Sequence, residues 1–77
     1  MKIRSKVNVW FSDRNYGFVH VVQNGSILKY FLHGANIISG TPQTGASVLF
    51  EGVEGKKGLL AVNAEIGAEG EGNGGAA

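Results

Sequence analysis

Residues 16–33 constrain the fold most. Tyr16 to Val22 and Ile27 to His33 are two runs rich in β-branched and aromatic residues, and Asn24-Gly25 stands between them. Both turn residues tolerate positive φ, so the stretch predicts a tight hairpin. Val7 to Phe11, Ser47 to Val53 and Leu59 to Ile66 read as three further strands. Glu54 to Gly58 reads as a second turn. Ile37 to Gly45 contains Gly, Ser, Thr and the only Pro, and reads as a loop. No segment holds a 3.6-residue apolar period for three turns. The expectation is all-β: five short antiparallel strands in a small closed barrel or sandwich.

Length and composition narrow the functions. A chain of 77 residues has room for one domain. It has no cysteine, which removes a disulfide framework and a thiolate zinc site. His20 and His33 alone are a thin basis for a metal centre, so no metal and no cofactor is expected. No apolar run approaches the ~20 residues of a membrane span, and the basic N-terminus leads into no apolar stretch of a signal peptide. The expectation is a cytoplasmic domain with no membrane partner. Residues 1–64 carry all seven Lys and Arg against Asp13, Glu51 and Glu54, a net of +4, whereas residues 65–77 carry only Glu65, Glu69 and Glu71. The domain is expected over residues 1–66. The Gly- and Glu-rich segment 67–77 has little to bury and is expected to be a disordered tail.

Strand alternation sorts the hairpin into two faces. Gly17, Val19 and Val21 point one way, and Tyr16, Phe18 and His20 the other. Leu28, Tyr30 and Leu32 share one face, and Lys29, Phe31 and His33 the opposite one. Tyr30 and Phe50 are assigned to the core. Tyr16, Phe18, Phe31 and His33 are expected to form one outward aromatic patch, with Lys29 beside it and Arg14 flanking. A contiguous apolar face of this kind marks a binding surface. Rings between cations suit nucleic acid, because rings stack on bases and cations meet phosphates.

Trp10-Phe11-Ser12 followed by Asn15-Tyr16-Gly17-Phe18-Val19 resembles the first RNA-binding motif of the cold-shock domain. Tyr30-Phe31-Leu32-His33-Gly34-Ala35-Asn36-Ile37 resembles the second. Gly45 to Asn63 resembles the family's last two strands, and the resemblance covers roughly residues 6–66. It implies a five-stranded OB-fold barrel that binds single-stranded RNA or DNA. It also implies a base-stacking role for Trp10, Phe11, Tyr16, Phe18, Phe31 and His33. Some positions depart from the family pattern. Gly34 replaces a usual phenylalanine, Asn15 a glycine, Val9 a frequent lysine and Leu59 a proline. The loop Ile38 to Thr44 has no ring. Gly52 falls at an inward position and is expected to thin the core. Together these predict weaker binding or a shorter footprint than a typical member.

The resulting expectation is a cold-shock-like RNA chaperone. Its partners are single-stranded RNA and single-stranded DNA, it takes no small-molecule substrate, and it acts as a monomer, with a dimer as the alternative. An S1-like RNA-binding barrel and a protein-interaction barrel are the other readings; the Tyr-Phe-Leu-His run argues against the S1 type. No catalytic residue is expected. A ribonuclease using His20 and His33 lacks a pocket and an orienting carboxylate, and no Gly-x4-Gly-Lys-Ser/Thr loop is present. Lys56 and Lys57 read as solvated turn residues with a possible reach to phosphates.

Overall fold

The computed structural model describes residues 2–67. It holds six strands: β1 (Lys2–Phe11), β2 (Tyr16–Gln23), β3 (Ser26–His33), β4 (Ile37–Ser39), β5 (Ser47–Gly55) and β6 (Gly58–Ile66). Strands β3, β2, β1, β5 and β6 follow one another in the sheet, and β3 also pairs with β6. This second pairing closes a five-stranded barrel. Its closure is parallel, with Phe31 opposite Leu60 and Leu32 opposite Ala61, so the barrel is not antiparallel throughout.

The β2–β3 hairpin forms as its sequence dictates. Its register runs unbroken from Tyr16 opposite His33 to Gln23 opposite Ser26. Asn24 and Gly25 have φ of 53° and 79°, the left-handed pair that a two-residue hairpin turn requires. The second hairpin is tighter than expected. Gly55 pairs with Gly58, leaving only Lys56 and Lys57 at the tip.

Two further differences concern strand ends. β1 begins at Lys2 rather than Val7, because Lys2, Arg4 and Lys6 are exposed on the alternate positions of a strand that pairs with β5. Charged residues on a solvated face hide the apolar alternation while leaving backbone pairing intact. β4 lies inside the expected loop. Ile37 opposes Ala64 and packs against the core, but three residues are too few to show a period.

β1 serves both halves of the barrel. Lys2 to Lys6 pair with β5, and Lys6 to Phe11 pair with β2. Between Val7 and Val9 the register shifts by one residue, a bulge at Asn8. A bulge bends its strand and sharpens the twist, which lets one strand turn the corner of a small barrel.

The core comprises Val7, Val19, Tyr30, Leu32, Val48, Phe50, Ala61, Ala64 and Ile66. Tyr30 and Phe50 meet edge to face at 5.2 Å. Gly52 does not thin this core. A Cβ there would lie 2.6 Å from the Tyr30 ring, so the missing side chain is the space that ring occupies. No described side-chain polar atom is buried without a partner. Gly67 donates its N–H to the Ser47 carbonyl at 2.6 Å; the rest of the expected tail lies outside the described residues. No helix among them is long and apolar enough to cross a membrane.

Candidate nucleic-acid interface

Cross-strand pairing arranges the outer face of β1–β2–β3 in rows. Phe11, Tyr16 and His33 oppose one another in the first; Val9, Phe18 and Phe31 form the second; Lys6, His20 and Lys29 form the third. Directly paired residues share a face, so the surface grades from rings to cations along the strands. None of these nine residues is a carboxylate.

The first two rows make a continuous ring cluster. Phe11 meets Tyr16 at 5.6 Å, and Tyr16 meets Phe31 at 5.3 Å and Phe18 at 6.3 Å. Phe18 meets Phe31 at 5.7 Å, and Phe31 meets His33 at 6.2 Å. Most contacts are edge-on or tilted, the geometry ring quadrupoles favour. Phe11 is exposed and the other rings are half-buried, mainly against one another. Lys29 Nζ stands 5.7 Å from the Phe18 ring centre, within cation–π range.

Of the expected site residues, Phe11, Tyr16, Phe18, Lys29, Phe31 and His33 therefore come together. Arg14 is exposed in the β1–β2 turn, its N–H donating to the Phe11 carbonyl at 3.1 Å, so it adjoins the first row. Trp10 is placed elsewhere. It is half-buried, packs against the core and makes no ring contact with the cluster. Its N–H donates to Thr44 Oγ1 at 3.0 Å. The ring lies over Gly17, where a Cβ would come within 2.8 Å of Trp10 Cε3. Gly17 is thus required by the close approach of β1.

Lys56 and Lys57 enter the site from the β5–β6 tip. A groove of about 650 Å³ is lined by Phe18, Lys29, Phe31, Lys56, Lys57 and the start of β6. The parallel closure of β3 on β6 brings them there. The signal in the sequence was a lysine pair at a tight turn, but nothing local indicated which surface that turn overlooks.

His33 is fixed at both ends of its role. Its Nδ1 accepts the Ala35 N–H at 3.0 Å, capping a short 3-10 turn over Gly34–Asn36. Its ring also borders Phe31. Asn15 takes φ of 60°, which explains how it stands where the cold-shock pattern has glycine: Asn is among the few residues that adopt this region readily. Its carbonyl accepts the Gly34 N–H at 2.9 Å. His20 and His33 lie four residues apart along the hairpin, about 13 Å at ~3.3 Å per residue, too far to share a reacting atom. No group of three or more metal-ligating side chains forms among the described residues.

Compared with known proteins, the chain matches no family model and no curated sequence.

Proposed function

We propose that this protein binds single-stranded RNA or DNA on the outer face of β1–β2–β3, as a cold-shock-like OB-fold module and not as an enzyme. The observation that carries the reading is the ring cluster from Phe11 to His33, lying on an open sheet with lysines on two sides and no carboxylate in its rows. Bases stack on such rings without regard to sequence, at roughly 1–3 kcal/mol each. Lys29, Lys56 and Lys57 line the groove and are suited to the sugar–phosphate backbone. Binding only the unpaired strand draws a duplex toward its open form by mass action, which is chaperoning without ATP. A monomer in the cytoplasm suits this activity.

One observation favours a protein partner instead. Val22 and Ile27 oppose each other further down the same face and are 75% and 66% exposed. Titration of short homopolymers at several salt concentrations separates the two readings. Nucleic-acid binding must appear and weaken with salt, because bound cations release counterions. Failure to bind any homopolymer at low salt would remove the proposal.

A further inference from the structure

The three strands that bear the ring cluster hold no carboxylate. Residues 2–11, 16–23 and 26–33 include Lys2, Arg4, Lys6, His20, Lys29 and His33 but neither Asp nor Glu. The carboxylates of the other half gather at the start of β1. Lys2 Nζ pairs with Glu65 Oε2 at 3.2 Å, and Glu51 lies opposite Lys2. Glu54 is opposite Leu59 on the second hairpin, and Asp13 lies in the turn at the other end of β2. The third row, Lys6–His20–Lys29, has no anion of its own. On its far side Lys6 is opposite Ser47, which carries no charge.

His20 is the centre of that row. It is half-buried and stands opposite Lys6 on β1 and Lys29 on β3, the two strands beside β2 in the sheet. Its carbonyl accepts the Ser5 hydroxyl at 2.6 Å where the β1–β2 ladder ends, which holds the strand at this point. Arg4 is exposed two residues further along β1, and Lys56 and Lys57 face Lys29 across the groove. His20 follows Phe18 by two residues, about 6.6 Å at ~3.3 Å per residue. Lys29 Nζ leans across that interval, 5.7 Å from the Phe18 ring centre. The interval matches the reach from a stacked base to its own phosphate.

We propose that Lys29 and His20, flanked by Lys6, form a phosphate site for the strand whose bases lie on the rings, and that His20 takes up a proton there, so that acid tightens binding. This rests on the nucleic-acid reading above. A phosphodiester stays anionic, whereas an imidazole gains a proton in the ordinary histidine range near pH ~6.5. A phosphate beside His20 attracts the imidazolium and not the neutral ring. Binding therefore draws a proton from solvent onto the ring, and by reciprocity a proton already on the ring strengthens binding. Affinity is higher below the histidine range and falls as pH rises through it.

The probe is a thymidine heptamer without a terminal phosphate, which has no group titrating in the histidine range. Its affinity for the full chain should rise about two- to five-fold from about pH 8 to about pH 5.5, the worth of one exposed ion pair. His20→Gln should abolish the rise. His20→Lys should bind more tightly than the wild type at about pH 8, with no further gain in acid, because its charge is permanent there. Proton NMR of the wild type should show the His20 ring titrating at higher pH with the heptamer bound than without it; this measurement needs no variant to fold. A protein that binds the heptamer equally at both pH values overturns the inference and spares the functional reading. So does a rise that survives in His20→Gln, which would assign the proton to another group, His33 being the other histidine on this face. Absence of binding at either pH overturns both.

Discussion

Tyr30 and Phe31 are consecutive rings on one strand with opposite surroundings. Tyr30 is 7% exposed, packs on Phe50 and fills the space left at Gly52. Phe31 faces outward, meets the rings of Tyr16, Phe18 and His33, and lines the groove with Lys29, Lys56, Lys57, Leu59 and Leu60. The same kind of side chain thus serves cohesion on one face and leaves a sticky surface on the other. A small barrel has no second layer to cover the outer rings, so their apolar area is retained at the surface.

The largest effect should fall on the inner face. Truncating a buried aromatic costs about 3–5 kcal/mol, so Tyr30→Ala should lower the unfolding free energy by that order. Chemical denaturation measures it, and a loss below about 1 kcal/mol would erase the distinction between the faces. Phe18→Ala and Phe31→Ala come next. Each should weaken single-strand binding by roughly 1–3 kcal/mol, with a smaller cost to stability, as read by oligonucleotide titration beside thermal melts. If Phe31→Ala unfolds the domain while Tyr30→Ala stays stable and fails to bind, the strand is inside out.

Asn15 and Gly34 sharpen the comparison at the edge of the outer face. A ring at Gly34 would enlarge the stacking surface but collide with the Asn15 carboxamide. Gly34→Phe alone should therefore gain little affinity, whereas Gly34→Phe with Asn15→Gly should bind several-fold more tightly. Equal gains from the single and double variants would show that Asn15 yields at no cost. Salt dependence is a weaker discriminator. For single strands the slope is about −0.7 per neutralised phosphate, so a few contacts among Lys29, Lys56, Lys57 and Arg14 predict a log–log slope of roughly −1 to −3. A steeper slope would bring in Lys6 and the rest of the basic stripe on β1. The smallest effect concerns Trp10. Because its ring packs toward the core, saturation with oligothymidine should change its emission only modestly. Strong quenching would put a base directly on the indole and extend the outer face across β1.

The hairpin faces were legible because alternation survives wherever the register is unbroken, as it is from Tyr16 to His33. The contact of Trp10 with the core was harder to read, for the opposite reason. The bulge at Asn8 changes the phase of β1, so that Val7 and Trp10 point inward while Val9 and Phe11 do not. A single inserted residue leaves no mark on a hydrophobic pattern. Lys56 and Lys57 were legible only as turn residues within reach of phosphates, because their nearness to Phe18 and Phe31 depends on barrel closure. That contact joins residues far apart in the chain. Gly52 misled in a similar way: its lack of a side chain suggested a void, but the filling ring comes from β3.

The double duty of β1 also separates the sheet's pairings by their distance along the chain. The β2–β3 hairpin closes through contacts between near neighbours, the fastest long-axis pairing open to a β chain. Lys2, by contrast, pairs with Glu51, and Phe31 with Leu60. During synthesis the first strand must wait for its β5 partner until more than half of the chain has emerged. The ring-bearing hairpin is synthesised well before β5 and β6, the strands that close the barrel beneath it. A nascent chain would therefore carry its adhesive surface ahead of its own stability.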